Sequence, residues 1–546
     1  MIRMRILGLL ALAAALALPI AGARAENEGQ EDLDKAIELQ VAAESLADLE
    51  AVAKQCESAL EKGLDEANQQ FAKQLLSSTL YRHAQQLCGP IFDQKPPSRQ
   101  WPLLRQFAQK DLERVIELEP QLAEAHMLLA RLCALPRGDV ERGLEAVGAA
   151  INLLTDDKKQ LAAAYMLRAQ LQDDPERRLR DYGRALDLDP GNVDAWQARA
   201  LAFMQQGDLE KAIDDLNSLL EQNADSATAH LALAEALMNL ERYDEAMVHA
   251  DKAIELTPEA GVAYTLRARL HVIADDLKAA KADLDQALRL DPRDVSALLI
   301  RSRLNQTEGD LAAAKDDVER ALLISPSLPQ ALLIRSMILA EEGRLSDAIS
   351  DMQTLLKQDP KNISWRLQLA SYYLEDRRPN KAIALFTELI EEDKDNWLAR
   401  QARADTLLSI GRHKEAVADF EVVIKQQPED DSILNNFAWV LATSPDDEIR
   451  DGKRAIKLAT KACEVTEYKQ AHILSTLAAA YAETGNFEEA VKWSRKAVQL
   501  GVENDEVDEQ LKKELESYLQ KKPWREKQTV EEKDEPVQQR QSKFEV

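Results

Sequence analysis

The chain has 546 residues, a formal net charge of −27, 18 glycines and only 5% aromatic residues. A surface this acidic excludes nucleic acid as a general partner and disfavours anionic lipid, because phosphates are repelled rather than neutralised. The scarcity of glycine, with Ala, Leu, Asp, Glu, Lys and Arg in excess, argues for helices and against glycine-rich nucleotide-binding architectures.

In chain order, residues 1–25 stand apart. Arg3 and Arg5 precede an apolar run from Ile6 to Ile20, and Ala23-Arg24-Ala25 offers small residues for cleavage. This is the pattern of a secretory signal, which places the mature protein outside the cytoplasm, periplasmic or secreted. A retained membrane anchor is the alternative, and the short run interrupted by Pro19 disfavours it. After cleavage no stable membrane insertion is expected. Residues 26–120 form an N-terminal helical cap and a degenerate first repeat: an acidic, loose start to about residue 40, a helix from Ala42 to Lys62 stopped by Gly63, and a second from Glu66 to Leu87. A loop then covers Pro90 to Pro102, and a helix runs from Leu103 to Leu118.

From residue 121 to 502 the chain repeats itself. Glu259–Pro292, Arg293–Pro326 and Ser327–Pro360 align without a gap at a period of 34, each with two apolar runs of helical spacing around a polar turn such as Glu308-Gly309-Asp310. A proline then closes each second run. With that proline as position 32, position 20 is alanine in nine units: Ala212, Ala246, Ala280, Ala314, Ala348, Ala382, Ala416, Ala455 and Ala490. Position 8 is small in the same units, from Ala200 and Ala234 through Ser302 and Ser336 to Ala438 and Ala478. Small residues at both places let two helices close against each other. Residues 429–468 carry an insertion, Thr443 to Gly452, and 158–190 has a shortened turn at Asp173-Asp174-Pro175. Residues 503–524 read as a capping helix and 525–546 as a disordered charged tail.

A 34-residue helical pair with this pattern of small positions resembles the tetratricopeptide repeat (TPR) family, in which each pair stacks on the next. The aromatic positions of the family are met only in part, by Trp196, Tyr264, Phe203, Tyr373 and Tyr481. The resemblance implies an all-α solenoid, a right-handed superhelix of antiparallel pairs. It also implies a monomeric, non-enzymatic protein-interaction scaffold that binds a protein or peptide along the concave face built by the first helices.

The residues themselves carry no catalytic constellation. The seven histidines are solitary, and there is no His-Glu-x-x-His, Cys-x-x-Cys, phosphate loop or nucleophile elbow, so no metal or cofactor is expected. Cys56, Cys88, Cys133 and Cys463 are too scattered for a disulfide framework. Cys88 and Cys133 fall late in the first helices of adjacent units, which leaves open that they pair and that the chain is a thiol-linked subunit or adaptor of an envelope enzyme or assembly complex. One polar pattern stands out. Position 7 is arginine in Arg168, Arg199, Arg267, Arg301, Arg335 and Arg403, and in those six units position 23 is aspartate: Asp181, Asp215, Asp283, Asp317, Asp351 and Asp419. Where position 7 is apolar the aspartate is gone, as in Leu233 with His249 or Leu369 with Leu385. Residue types that switch together point to contact between the two helices.

For the partner, positions 2, 5, 9, 12 and 13 of successive first helices supply the candidate groove: Leu201, Met204, Leu231, Met238, Arg269, Leu299, Arg303, Leu333 and Met337. Apolar surface with arginines suits a peptide that has apolar anchors and an acidic residue. The lysines and asparagines with which some family members grip chaperone carboxylate tails are absent, since position 5 is Leu231, Thr265, Leu299, Leu333 or Leu367.

Overall fold

The computed structural model describes residues 28–92, 100–503 and 509–526, and among these it contains 27 α-helices and no strand. The signal-like residues 1–25 lie outside the described residues. Two compact units divide the chain, the first ending at Ala274 and the second beginning at Asp275, and in each the helices pair antiparallel with their neighbours in sequence. The 259–292 repeat gives its first helix, Gly261–Ile273, to the first unit and its second, Leu277–Leu290, to the other.

Within each unit the pairs close where the sequence placed small residues. The nine alanines at position 20 are all fully buried, and so are the nine small residues at position 8. In the 293–326 repeat the Ser302 hydroxyl, at position 8, donates to the carbonyl of Ala314, at position 20, at 2.7 Å. That is the approach of one helix backbone to the other's side-chain layer, and a larger residue at either place would force the pair apart.

The ends of the helices follow local chemistry. Asn192, Ser226, Asp294, Asn362, Asn396 and Asp430 cap first helices by accepting a backbone N–H of the first turn, and Asp174, Asp276, Asp310 and Asp451 do the same for second helices. The closing proline turns out not to set the boundary. Helices Leu209–Gln222 and Pro379–Glu392, where Ala224 and Lys394 replace it, stop at the same place as the others.

The N-terminal region differs from the sequence expectation in two ways. Residues 30–40, expected to be loose, belong to the helix Gln30–Ala42, and the helix expected from Ala42 begins at Leu46. Leu33 joins a buried layer with Ala59 and Ala72, and Ala36 joins the first core, which outweighs the acidic surface around them. The helix expected to stop at Leu87 runs on as Glu66–Phe92 with Pro90 inside it, and Ile91 is buried in the core. At the other end Glu509–Leu519 is the capping helix, anchored by the fully buried Tyr518 and by the buried Glu514 carboxylate, which accepts from the Ser475 hydroxyl. The charged tail was expected to begin at residue 525, yet Arg525 and Glu526 are docked on the fold.

Position 15, in the turn between the paired helices, takes a left-handed backbone in most repeats, the shortened turn at 173–175 and the 443–452 insertion being the exceptions. Gly207, Gly309, Gly343, Gly411 and Gly485 supply it with φ between 75° and 82°, but Glu241, Asp275 and Arg377 adopt it with side chains at 56–60°. An L residue there carries strain of about 1 kcal/mol that glycine does not. Arg377→Gly should therefore raise resistance to urea by up to about 1 kcal/mol, and Gly309→Ala should lower it by a similar amount. Equal urea midpoints for the two variants would contradict this account.

Candidate functional site

The arginine–aspartate pattern is a set of bidentate bridges. Arg168–Asp181, Arg199–Asp215, Arg301–Asp317, Arg335–Asp351 and Arg403–Asp419 each join the two helices of a repeat through two parallel N–H···O bonds of 2.6–2.8 Å. The aspartates are almost wholly withdrawn from water, whereas the arginines keep a minor part of their surface. Those hydrogen bonds hold the guanidinium groups of Arg168, Arg301, Arg335 and Arg403 above their ordinary value. The members of the sixth predicted pair, Arg267 and Asp283, belong to different units.

The sequence reading missed a third participant, position 25 of the preceding repeat. An arginine nitrogen turns back to it: Arg267 to Asp251 at 2.7 Å, Arg301 to Asp285 at 2.6 Å and Arg403 to the Thr387 hydroxyl at 3.0 Å. Before Arg199 this position is Gly183, whose hydrogen faces the guanidinium. Arg301 and Arg403 thus each join their own pair and tie that pair to the previous one. Where the bridge is missing, apolar or aromatic contact replaces it. Leu233 and Leu369 are buried, Arg454 lies over the Phe437 ring at 4.6 Å, and His249 stacks on His230 with ring centroids 5.2 Å apart.

The predicted groove residues fare unequally. Leu201, Arg269 and Arg303 are exposed, and Met204, Leu231, Leu333 and Met337 are half-buried. Met238 and Leu299 are buried, at 5% and 8% exposure, so they pack the repeats and present no surface to a partner. Met204 and Leu231 also lean on the core of the first unit. The physical reason is that in those repeats positions 5 and 12 fall on the edge where one pair meets the next, which helical periodicity alone does not reveal.

The same register does open a cleft earlier in the first unit, in repeats from which the sequence reading had named no groove residue. A cavity of about 780 Å³ is lined by Tyr81, Gln85 and Phe92 of Glu66–Phe92, by Glu124, Met127 and Arg131 of Ala123–Cys133, and by Met166 and Gln170 of Lys158–Leu171, with Asp194 at its edge. Glu124, Met127 and Arg131 are positions 2, 5 and 9 of their helix. Arg131 stacks on the Phe92 ring at 4.5 Å, and burial, aided by the Glu124 charge, pushes the Tyr81 phenol above its ordinary value. The cleft therefore has an apolar floor with acidic and basic groups at its rim. In the second unit a cavity of about 760 Å³ lies against the 443–452 insertion, but its arginines are already paired, Arg450 with Glu483 and Arg454 with Glu421.

The cysteines do not form the proposed pair. Cys88 and Cys133 form no disulfide and are buried in the first core, the latter accepting a contact from the Gln109 amide, and burial raises Cys133 above its ordinary value. Burial likewise pushes Cys56 and Cys463 up to about 12, so neither is a poised nucleophile. Among the described residues no cluster of His, Cys, Asp and Glu could hold a metal ion, and no helix is long and apolar enough to cross a membrane.

Family models of the tetratricopeptide repeat match residues 166–238, 227–260, 265–329, 306–363, 367–431 and 471–500. The chain belongs to the tetratricopeptide repeat family. TPR proteins are protein-interaction scaffolds that bind protein or peptide partners. Among solved structures this TPR chain is similar to YrrB, a TPR protein described as having an unusual peptide-binding site, at 23% identity over 34% of this chain and 97% of that one, with a TM-score of 0.31. It is also similar to PilW, a type IV pilus biogenesis factor, at 24% identity over 39% and 96%, TM-score 0.35, and to a TPR protein of Parabacteroides merdae at 17% over 54% and 99%, TM-score 0.33. No curated protein matches the chain.

Two outcomes follow from the bridges and their substitutes. Arg301→Leu leaves the buried Asp317 carboxylate without its bidentate partner and should cost about 3 kcal/mol, most of which Arg301→Leu with Asp317→Leu should recover, since Leu369 and Leu385 stand in the same places elsewhere. Equal unfolding midpoints for the single and double variants would remove the bridge from the account. His249 and His413 are both held below the ordinary imidazole value of 6.5, mainly by burial, so the fold prefers them neutral. Their contribution is complete above that value and is lost as pH falls through it. His249→Leu should flatten the decline in thermal stability as pH falls below about 6.5; an unchanged decline would count against it.

Proposed function

We propose that this TPR chain is a non-enzymatic, exported scaffold that holds one segment of a partner protein in the cleft of the first unit. The observation that carries the reading is the cleft itself: an apolar floor of Tyr81, Phe92, Met127 and Met166 at first-helix positions, with Glu124, Asp194 and Arg131 around it. An extended or helical segment with apolar anchors, a basic residue facing Glu124 and Asp194 and an acid facing Arg131 fits that chemistry. Export rests on Arg3, Arg5 and the Ile6–Ile20 run, and places the scaffold in the periplasm or outside the cell. The thiol-linked alternative loses its support, because Cys88 and Cys133 are buried and form no disulfide. In affinity capture from the native envelope, the mature chain should retain a partner that Met127→Glu with Met166→Glu releases while the helical circular-dichroism spectrum is retained. Capture of the same proteins by both chains would move the binding surface elsewhere.

A further inference from the structure

The inner face of the last two repeats is already occupied, and its occupant is the chain's own C-terminal segment. Helix Glu509–Leu519 ends at the turn of Gln520 and Lys521, and the chain then extends across the helices Asp431–Thr443 and Ala471–Glu483. Trp524 packs against the core of these repeats. Arg525 pairs with the Glu483 carboxylate at 2.6 Å and lies 3.5 Å from the Ala442 carbonyl. Glu526 donates its backbone N–H to the Thr443 carbonyl at 3.0 Å, and its carboxylate accepts from the Trp439 indole N–H at 2.6 Å.

The residues that receive the segment are positions 9, 12 and 13 of one first helix and position 13 of the next, among the positions the sequence marks as the candidate groove. Ala442 and Thr443 belong to the last turn of Asp431–Thr443, where backbone carbonyls have no partner within the helix. A donor side chain and an extended backbone N–H satisfy them. The contacts are those of peptide recognition: one main-chain bond sets the direction, an arginine reads a carboxylate, and an acid reads an indole. Burial holds the Glu526 carboxyl above the ordinary carboxylate range, as befits an acid withdrawn from water into a fitted place.

We propose that this face is a second peptide-binding site, specific for an extended segment in which an arginine is followed by an acidic residue. Arg525 and Glu526 fill it in cis, and a partner segment carrying the same pair enters only by displacing them. The proposal rests on the reading of first-helix faces as binding surfaces, but it uses a different site from the cleft of the first unit.

The test uses the full chain and a fluorescein-labelled peptide reproducing residues 520–530. Arg525→Glu with Glu526→Lys should eject the segment, so that the peptide binds this variant at least tenfold more tightly than the native chain in fluorescence anisotropy. Adding Trp439→Phe to that variant should weaken binding about tenfold, whereas adding Met127→Glu and Met166→Glu should leave it unchanged, which separates this site from the cleft. Equal binding of the peptide to the native chain and the ejected variant, or none to either, would overturn the proposal. Amide hydrogen exchange on the native chain gives a readout that needs no folded variant. The Glu526 amide should be protected, and exchange there at the rate of an unstructured peptide would also overturn it.

Discussion

The closure of each helix pair at positions 8 and 20 is the constraint on which the other contacts depend. Sixteen fully buried small residues, two per repeat in eight repeats that each lie within one unit, let the helices approach until a serine hydroxyl on one reaches a carbonyl of the other, as Ser302 does with Ala314. At that separation the arginine at position 7 reaches the aspartate at position 23 with both nitrogens. A larger residue at position 20 would lengthen those bonds as well as disturb the core. Packing and electrostatics are therefore coupled within each repeat.

The bridges have a second consequence, because the same guanidinium reaches position 25 of the repeat before it. Asp285 and Thr387 accept from a nitrogen of the next arginine. A linear array gains its stability from contacts between neighbours as well as within units. Here one side chain contributes to both. Repeats without the arginine close through leucine, aromatic or histidine contacts instead, which makes the array chemically uneven along its length and gives its histidine-bearing repeats a stability that falls with pH.

This unevenness shapes the surfaces open to a partner. Where positions 5 and 12 carry residues that fit the seam between pairs, as Leu299 and Met238 do, the inner face is sealed. Where the long helix Glu66–Phe92 and its aromatic residues face the first regular repeats, the face opens into a cleft. At the far end Trp439 and Glu483 hold a segment of the chain itself. One register of residues serves as packing, as an open site and as a filled site, according to what lies opposite.

The period of 34, the small residues at positions 8 and 20 and the paired switching of positions 7 and 23 are local or one-turn-away relations, and the sequence alone determined them. Each repeats many times within a single chain, so side-chain size and charge are legible without coordinates. The tertiary structure alone decided the rest. Pro90 continues a helix because Ile91 has a core to enter, and Gln30–Ala42 is helical because Leu33 and Ala36 have buried layers to join. Position 25 takes part in the bridges because stacking brings a neighbouring repeat within reach. Which leucines and methionines of the inner face stay open depends on the opposing surface, which is contributed by residues tens of positions away and has no period of its own.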